Sequence, residues 1–475
     1  MRTILLASAF IVPLTLHAQQ VTTKADSALI LKVLEAEDAR DSAAPALRDG
    51  LRSENATIRA LAVRAQARIT DSTYASRSAA EAVPPVRNWE LPAWRTRMAA
   101  VTGNRNDCAA IRSGLRDSTW QVRIRAADVA PATCGTDAAL VAIIREWTDS
   151  VPEIPERRHA GGVSWQALAH GIAAYARLQP DSARPRLPHA ERHRDWQVRA
   201  YAARAALTLA DTAALRRLAG DDDDNVKEAA IVALRRLTGH DDDSLYLHAL
   251  REKGAQVVRA AAMALRGTTN PLAPAALETA LRSWKGHKND SERDARLSLL
   301  AALGRPKSED SPRLSRRPVP RQAVGLALGD DVRLLVTMNE RTGGGAFIIR
   351  LRGDVAPITA ARIALLAREG YYDGTSWHRV EPEFVIQGGS HGHNEYVGFD
   401  RFFRDELGTL SHRRGAVGMS TRGHDTGDGQ WFIDLGDNAR LDQDYTVFGE
   451  VIEGMSAVDG VMEGDIIESI RVLGE

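Results

Sequence analysis

The sequence predicts a multidomain chain: an all-α solenoid of stacked helical repeats, followed by a mainly-β closed barrel with capping helices. Three observations predict it. A short pattern recurs at helical spacing through the first two thirds of the 475 residues. It runs polar turn, Val or Ile, Arg or Lys, then small apolar residues. A charged, proline-rich stretch interrupts it at Arg305–Gln322. Beyond that stretch, β-type apolar runs and glycine-rich turns replace the alanine-rich helices.

Composition bounds the function. A chain of this length exceeds one compact core, which argues for two or more domains. Hydrophobic residues make up 44% and charged residues 26%, as in an ordinary soluble protein. Lys plus Arg (62) equals Asp plus Glu (62), so the basic excess of a nucleic-acid binder is missing.

The chain divides at composition shifts. Residues 1–18 carry Arg2, the apolar run Ile4–Leu16 and small Ala18, which reads as a secretory signal cleaved before Gln19. The run falls short of the ~20 residues that span a bilayer. No stable membrane insertion is expected, and the mature protein is expected outside the cytoplasm, in a bacterial periplasm rather than secreted. Residues 19–304 form the helical repeat domain. The pattern appears from Ser53, Asp117, Asp195, Asp221 and Lys253, with Val198, Val226 and Val258 in matching places. A single helix pair cannot bury its apolar face, whereas stacked pairs share a continuous core. Asp at each turn caps the next helix, and the Arg after Val is expected to reach a neighbouring turn. Val151–Val163, with Pro152, Pro155, Gly161 and Gly162, reads as a loop or insertion. Residues 305–328 read as an extended Pro-rich linker that tethers the two parts. In residues 329–475, VRLLVTMNE and GAFIIRLRGD read as strands around a turn at Arg341–Gly344. PITAARIALLAREG reads as one helix, with Pro357 at its start and Gly370 at its stop.

The repeat stretch resembles HEAT repeats of the short kind built on a turn-Val-Arg-x-x-Ala core. The likeness is clearest over Arg192–Gly267. In such a pair, Cys108 falls early in the first helix and Cys134 at the end of the second. Antiparallel helices bring those ends together. A disulfide and two separate buried thiols both fit, and export into an oxidising compartment permits the bond. An extended repeat surface also suits a protein partner or client.

The chemistry-bearing block is YYDGTSWHRVEPEFVIQGG (Tyr371–Gly389), followed by GAVGMST from Gly415, GDGQWFIDLG from Gly427 and LDQDYTVFGEVIEG from Leu441. In this order the segments closely resemble the cyclophilins, over about Val332–Leu473. The resemblance implies a peptidyl-prolyl cis/trans isomerase acting on proline-containing polypeptides, without a cofactor or metal. It implies Arg379 and Gln387 as catalytic residues. It places Phe384, Val385, Ser420, Thr421, Gln430, Phe432, Leu441 and Tyr445 around the substrate. Val385 replaces a usual Met, and Ser420–Thr421 replace a frequent Ala-Asn. Arg440 stands where the family carries a Trp tied to cyclosporin binding, which implies weak drug binding. Tyr445 replaces a usual His. His391, His393, His412 and His424 lie close enough in sequence to raise a metal site, but the first two follow QGG in a segment that varies across the family. A non-catalytic proline-peptide-binding module and a pure scaffold are the competing readings. Arg379, Phe384, Gln387 and Phe432 together favour turnover, and a role in folding exported proteins follows.

Overall fold

The computed structural model describes residues 23–71, 74, 88–149, 165–287, 289–310 and 318–474. The expected signal segment, the loop at 151–163 and part of the expected linker (311–317) lie outside these residues.

Three helices come first, Lys24–Ala39, Pro45–Leu51 and Ala56–Thr70. A capping box starts the first: Asp26 N donates to Thr23 Oγ1 at 3.0 Å, and Thr23 N donates to Asp26 Oδ2 at 3.1 Å. Their apolar faces divide. Val33, Ala36, Leu47 and Ala62 hold the helices together. Ile30, Leu34, Ile58 and Leu61 join the core of the β-sheet instead. The expected repeat domain therefore does not pack as one block, because its first helices share a core with the last third of the chain.

From Trp94 to Ala302 the helices stack as a solenoid around one apolar core that runs from Met98 to Leu300. Its turns are held by the residues the repeat pattern supplies. Asp223 accepts from Asn225 N at 2.8 Å and caps helix Asp224–Thr238. Arg199 donates through Nε and Nη2 to both oxygens of Asp221, each at 2.8 Å, and so ties one repeat to the next turn. Cys108, the first residue of helix Cys108–Leu115, is disulfide-bonded to Cys134, with Cα atoms 5.4 Å apart. Cys134 sits in the 3-10 turn Ala132–Thr136, just beyond the second helix of the pair.

Eight strands follow: β1 (Arg333–Met338), β2 (Ala346–Leu351), β3 (Ser376–Val380), β4 (Val385–Ser390), β5 (Ala416–Met419), β6 (Trp431–Asp434), β7 (Val447–Glu453) and β8 (Ile467–Leu473). They form one antiparallel sheet in the order β3-β4-β6-β5-β7-β2-β1-β8. Alternation in β1 and β2 sends every second residue inward, where Phe347, Ile349 and Val336 meet Trp377, Trp431 and Phe448. Helix Pro357–Arg368 is buried on nearly all sides and covers this core.

The sheet is open and curled rather than the expected closed barrel. Its ends, β3 and β8, do not pair as a ladder; they meet at the isolated bridge Ser376 to Ile466, flanked by short backbone bonds such as Trp377 N to Asp465 O and Ile467 N to Thr375 O, each at 2.8 Å.

The linker expectation also needs correction. Within 305–328, Lys307–Glu309 form a 3-10 turn and Gln322–Ala327 form a helix. Ala323 and Leu326 of that helix enter the sheet core, so the described end of this stretch is packed structure and not a free tether. The solenoid itself lies against the sheet domain. Gln121 Nε2 donates to Asp459 O at 2.7 Å, and Gln166 Nε2 donates to Glu463 O at 2.9 Å. Trp165 packs so closely on Gly464 that a Cβ there would come within 2.6 Å of the ring, and Gly464 has φ +86° besides.

Candidate active site

Strand pairing builds the site. Arg379 on β3 lies opposite Gln387 on β4, which lies opposite Phe432 on β6, which lies opposite Gly418 on β5. Residues directly opposite in antiparallel strands share a face, so this row projects together. Gly418 makes room for the ring: a Cβ there would stand 2.4 Å from Phe432 Cζ.

A cleft of about 190 Å³ opens over the row. Val385, Phe432 and Leu441 form its buried apolar floor, with Phe384 and Tyr445 packed against them. The Phe432 and Tyr445 rings meet edge to face at 5.7 Å. Behind Phe432 stacks His412, at 5.5 Å between centroids. Its Nδ1 is 2.9 Å from Asp434 Oδ2, and both side chains are fully buried. Burial opposes a charge on His412, but the hydrogen bond and charge of Asp434 prevail and raise its pKa above the ordinary imidazole value.

The polar rim is equally specific. Arg379 is 38% exposed at its side chain, with its guanidinium 5.7 Å from the Phe384 ring centroid. Gln387 Nε2 donates to Ser420 Oγ at 2.9 Å and to Gln430 Oε1 at 3.3 Å. Arg440 stacks on the other part of Phe384, 4.5 Å from its centroid.

Nine of the ten residues expected in the site line this cleft: Arg379, Phe384, Val385, Gln387, Ser420, Thr421, Phe432, Leu441 and Tyr445. Gln430 stands one layer behind and holds Gln387. Glu395 and Arg422 complete the lining, and the motif spacing gave no sign of either. Glu395 is 45% exposed at its side chain and places Oε1 3.4 Å from Arg379 Nη1. Its backbone is fixed from below, where its carbonyl accepts from Arg422 and from Gln430 Nε2.

The loop that carries Glu395 is gripped by the solenoid. Asn394 Nδ2 donates to Asn225 Oδ1 at 2.9 Å and to Gln256 Oε1 at 3.2 Å. Asn225 Nδ2 donates to Gly392 O at 3.1 Å. Arg259 lies 4.0 Å over the Tyr396 ring, and Arg422 pairs with Asp294. Sequence alone could not find these contacts, because they depend on how two separately patterned segments dock.

The four histidines raised as metal candidates face different partners. His391 packs on Tyr371, His393 bonds Ser376 at 2.8 Å, His412 bonds Asp434, and His424 bonds Asp405 at 3.2 Å. No cluster of three potential metal ligands occurs among the described residues.

Residues 335–472 match the family described as cyclophilin type peptidyl-prolyl cis-trans isomerase, and residues 182–266 match HEAT repeats. A peptidyl-prolyl cis-trans isomerase of Helicobacter pylori (strain 26695) is 36% identical over 134 residues, covering 27% of this chain and 82% of the relative. The peptidyl-prolyl cis-trans isomerase B of Bacillus subtilis is 37% identical over 133 residues, covering 28% of this chain and 93% of the relative. A solved cyclophilin type isomerase of Cryptosporidium parvum is 24% identical, with 30% of this chain and 99% of that chain covered and a TM-score of 0.28.

Proposed function

The chain belongs to the cyclophilin-type peptidyl-prolyl cis-trans isomerases, and from that premise we propose that Arg379 drives the rotation while Phe384, Val385, Phe432, Leu441 and Tyr445 hold the proline ring. The observation that carries this reading is the row Arg379–Gln387–Phe432 on three adjacent strands, which sets a cation and an amide beside an apolar pocket.

Amide resonance sets a rotation barrier of ~18–20 kcal/mol. X-Pro bonds populate both isomers, and their exchange takes tens to hundreds of seconds. The reaction makes and breaks no covalent bond, so it needs neither nucleophile nor cofactor. In the twisted state the imide nitrogen becomes pyramidal and gains a lone pair. A fixed guanidinium aimed at that nitrogen stabilises the twisted state more than either planar one. Arg suits the task because it stays charged and its donors are rigid. Gln387, steadied by Ser420 and Gln430, bonds the substrate backbone, and the main chain at Ser420–Thr421 pairs with the residues before proline.

A protease-coupled isomerisation assay on wild type and Arg379→Ala tests this. The variant is expected to lose about a hundredfold in kcat/KM, as when a transition-state donor is removed, with its circular dichroism unchanged. Equal rates in the two proteins would falsify the role of Arg379.

The same reading extends to place and partner. The leader at residues 1–18 and the Cys108–Cys134 bond support action on exported chains, with the repeats holding a client or partner. N-terminal sequencing of the protein from a periplasmic fraction tests the location. A start at Gln19 is expected, and an intact leader on cytoplasmic protein sinks it.

A further inference from the structure

A second cavity, of about 270 Å³, lies between the solenoid and the sheet domain, and Arg379 lines it as well as the apolar cleft. Two glutamines of the solenoid set its chemistry. Gln121 is 4% exposed and Gln166 is 2% exposed. Each donates Nε2 to a sheet-domain carbonyl, as described above, which fixes the orientation of its amide. Each is left with a buried Oε1 that has no partner. An unpaired buried acceptor costs ~1–3 kcal/mol. On the facing wall, both ring nitrogens of His378 are buried without a well-formed hydrogen bond, with the Ser376 backbone near enough to bear on the ring. Burial, with the nearby His393 adding to it, pushes the His378 pKa down to about 3. The neutral ring thus offers one donor and one acceptor.

One buried group of polar side chains in the cavity satisfies itself. His170 Nδ1 stands 2.6 Å from Asp128, its Nε2 is 3.1 Å from the Tyr201 hydroxyl, and that hydroxyl donates to Glu463 at 3.0 Å. The two glutamine oxygens and His378 are buried groups left to meet a ligand. A peptide group supplies what they lack: an N–H for each glutamine oxygen, and an N–H or C=O for His378.

We propose that this cavity is an extended subsite for the substrate polypeptide, which takes main-chain amides of residues flanking the proline. The proposal rests on Arg379 facing the substrate, since that side chain joins the two cavities. Recognition through the backbone is tolerant of sequence, and the solenoid thereby becomes part of the substrate site.

The test compares a blocked tetrapeptide holding one X-Pro bond with a dodecapeptide carrying the same four residues at its centre. Ile124 lines the solenoid wall, and Ile124→Trp puts a ring into the cavity. The ratio of kcat/KM for the long over the short peptide is expected to fall about fivefold, the size of one net hydrogen bond, through KM. An unchanged ratio overturns the subsite. Should that variant not fold, a dodecapeptide bearing a photoreactive phenylalanine three residues from the proline is crosslinked to the wild type. Labelling within residues 120–128 or 165–170 supports the proposal, and labelling confined to 384–445 overturns it. Wild type that fails to turn over the tetrapeptide would remove the Arg379 reading instead, and the crosslink would still decide the cavity.

Discussion

The sheet domain meets helices in two ways. The N-terminal helices share its apolar core, and their contact is sealed by buried charges. Glu37 receives Arg68 Nη1 at 2.6 Å and Arg64 Nη2 at 3.2 Å, while Arg68 also donates to the carbonyls of Val355 and Leu407, each at 2.8 Å. Burial opposes the charge on Glu37, and the two arginines overcome it and hold its pKa below the usual carboxylate value. The solenoid, in contrast, touches the sheet domain through scattered polar contacts, among them the amides of Gln121, Gln166, Asn225 and Gln256 and the pair Arg422–Asp294. Apolar contact excludes water and makes one folding unit, whereas polar contact leaves room. The cavity and the grip on the active-site loop both occur on the polar side.

Breaking the first contact should cost most. Arg68→Ala takes the nearest cation from two buried carboxylates, leaving Glu37 with Arg64 alone and Glu406 with the backbone N–H groups of Ile358 and Thr359, and urea unfolding is expected to show a loss of about 3 kcal/mol. A loss near zero would mean that the helices rest on the sheet without being part of it. Next in size is the double change Cys108→Ser with Cys134→Ser. Opening a loop with a sequence separation of 26 is expected to cost about 3 kcal/mol. That loss should appear in the helical signal, with the transition of the sheet-core tryptophans Trp377 and Trp431 moving less. Tryptophan fluorescence and far-ultraviolet dichroism that shift together would show the two parts to be as tightly coupled as the N-terminal helices and the sheet.

Asn225→Ala with Gln256→Ala sharpens the comparison from the polar side. It frees the loop that carries Glu395, at about 1 kcal/mol per hydrogen bond lost. Stability should change little while kcat/KM falls severalfold, and Asn225→Asp is expected to recover part of the loss. A fall in stability without a fall in kcat/KM would make these contacts purely structural. The smallest effect concerns pH. The folded pKa of His412 is raised, so its contribution is fully present below the unfolded value of ~6.5 and is lost as pH rises through the folded value. Wild type is expected to lose more stability on that rise than His412→Asn, measured by urea midpoints. Parallel curves would remove His412 from the account.

Much of this was legible in the sequence, for reasons that differ by residue. Arg379, Gln387 and Phe432 could be read because each sits in a short ordered motif, and strand register then aligns them. The turn aspartates and Arg199 could be read because each repeat restates them. Glu395 could not, since its place beside Arg379 depends on a loop held by Asn225 and Gln256, far away in sequence. The helix Gln322–Ala327 was hidden by its brevity and by the prolines before it. The division of the N-terminal helices was hidden for another reason. Ile30 and Leu34 repeat with ordinary helical spacing, and spacing does not say which core receives them. The seam between β3 and β8, a bridge and not a ladder, is set by where two end strands far apart in sequence meet, which no alternation pattern reports.

The shared core of the N-terminal helices has a consequence for the order of folding. Ile30 and Leu34 leave the ribosome about three hundred residues ahead of their partners in the sheet core, from Val332 to Ile470. Contacts so remote in sequence raise contact order and slow the search. Until the final strands arrive, the first helices display apolar surface with nothing to cover it, the state in which chains aggregate. This isomerase is thus itself a late finisher, complete only when strand β8 closes on β1.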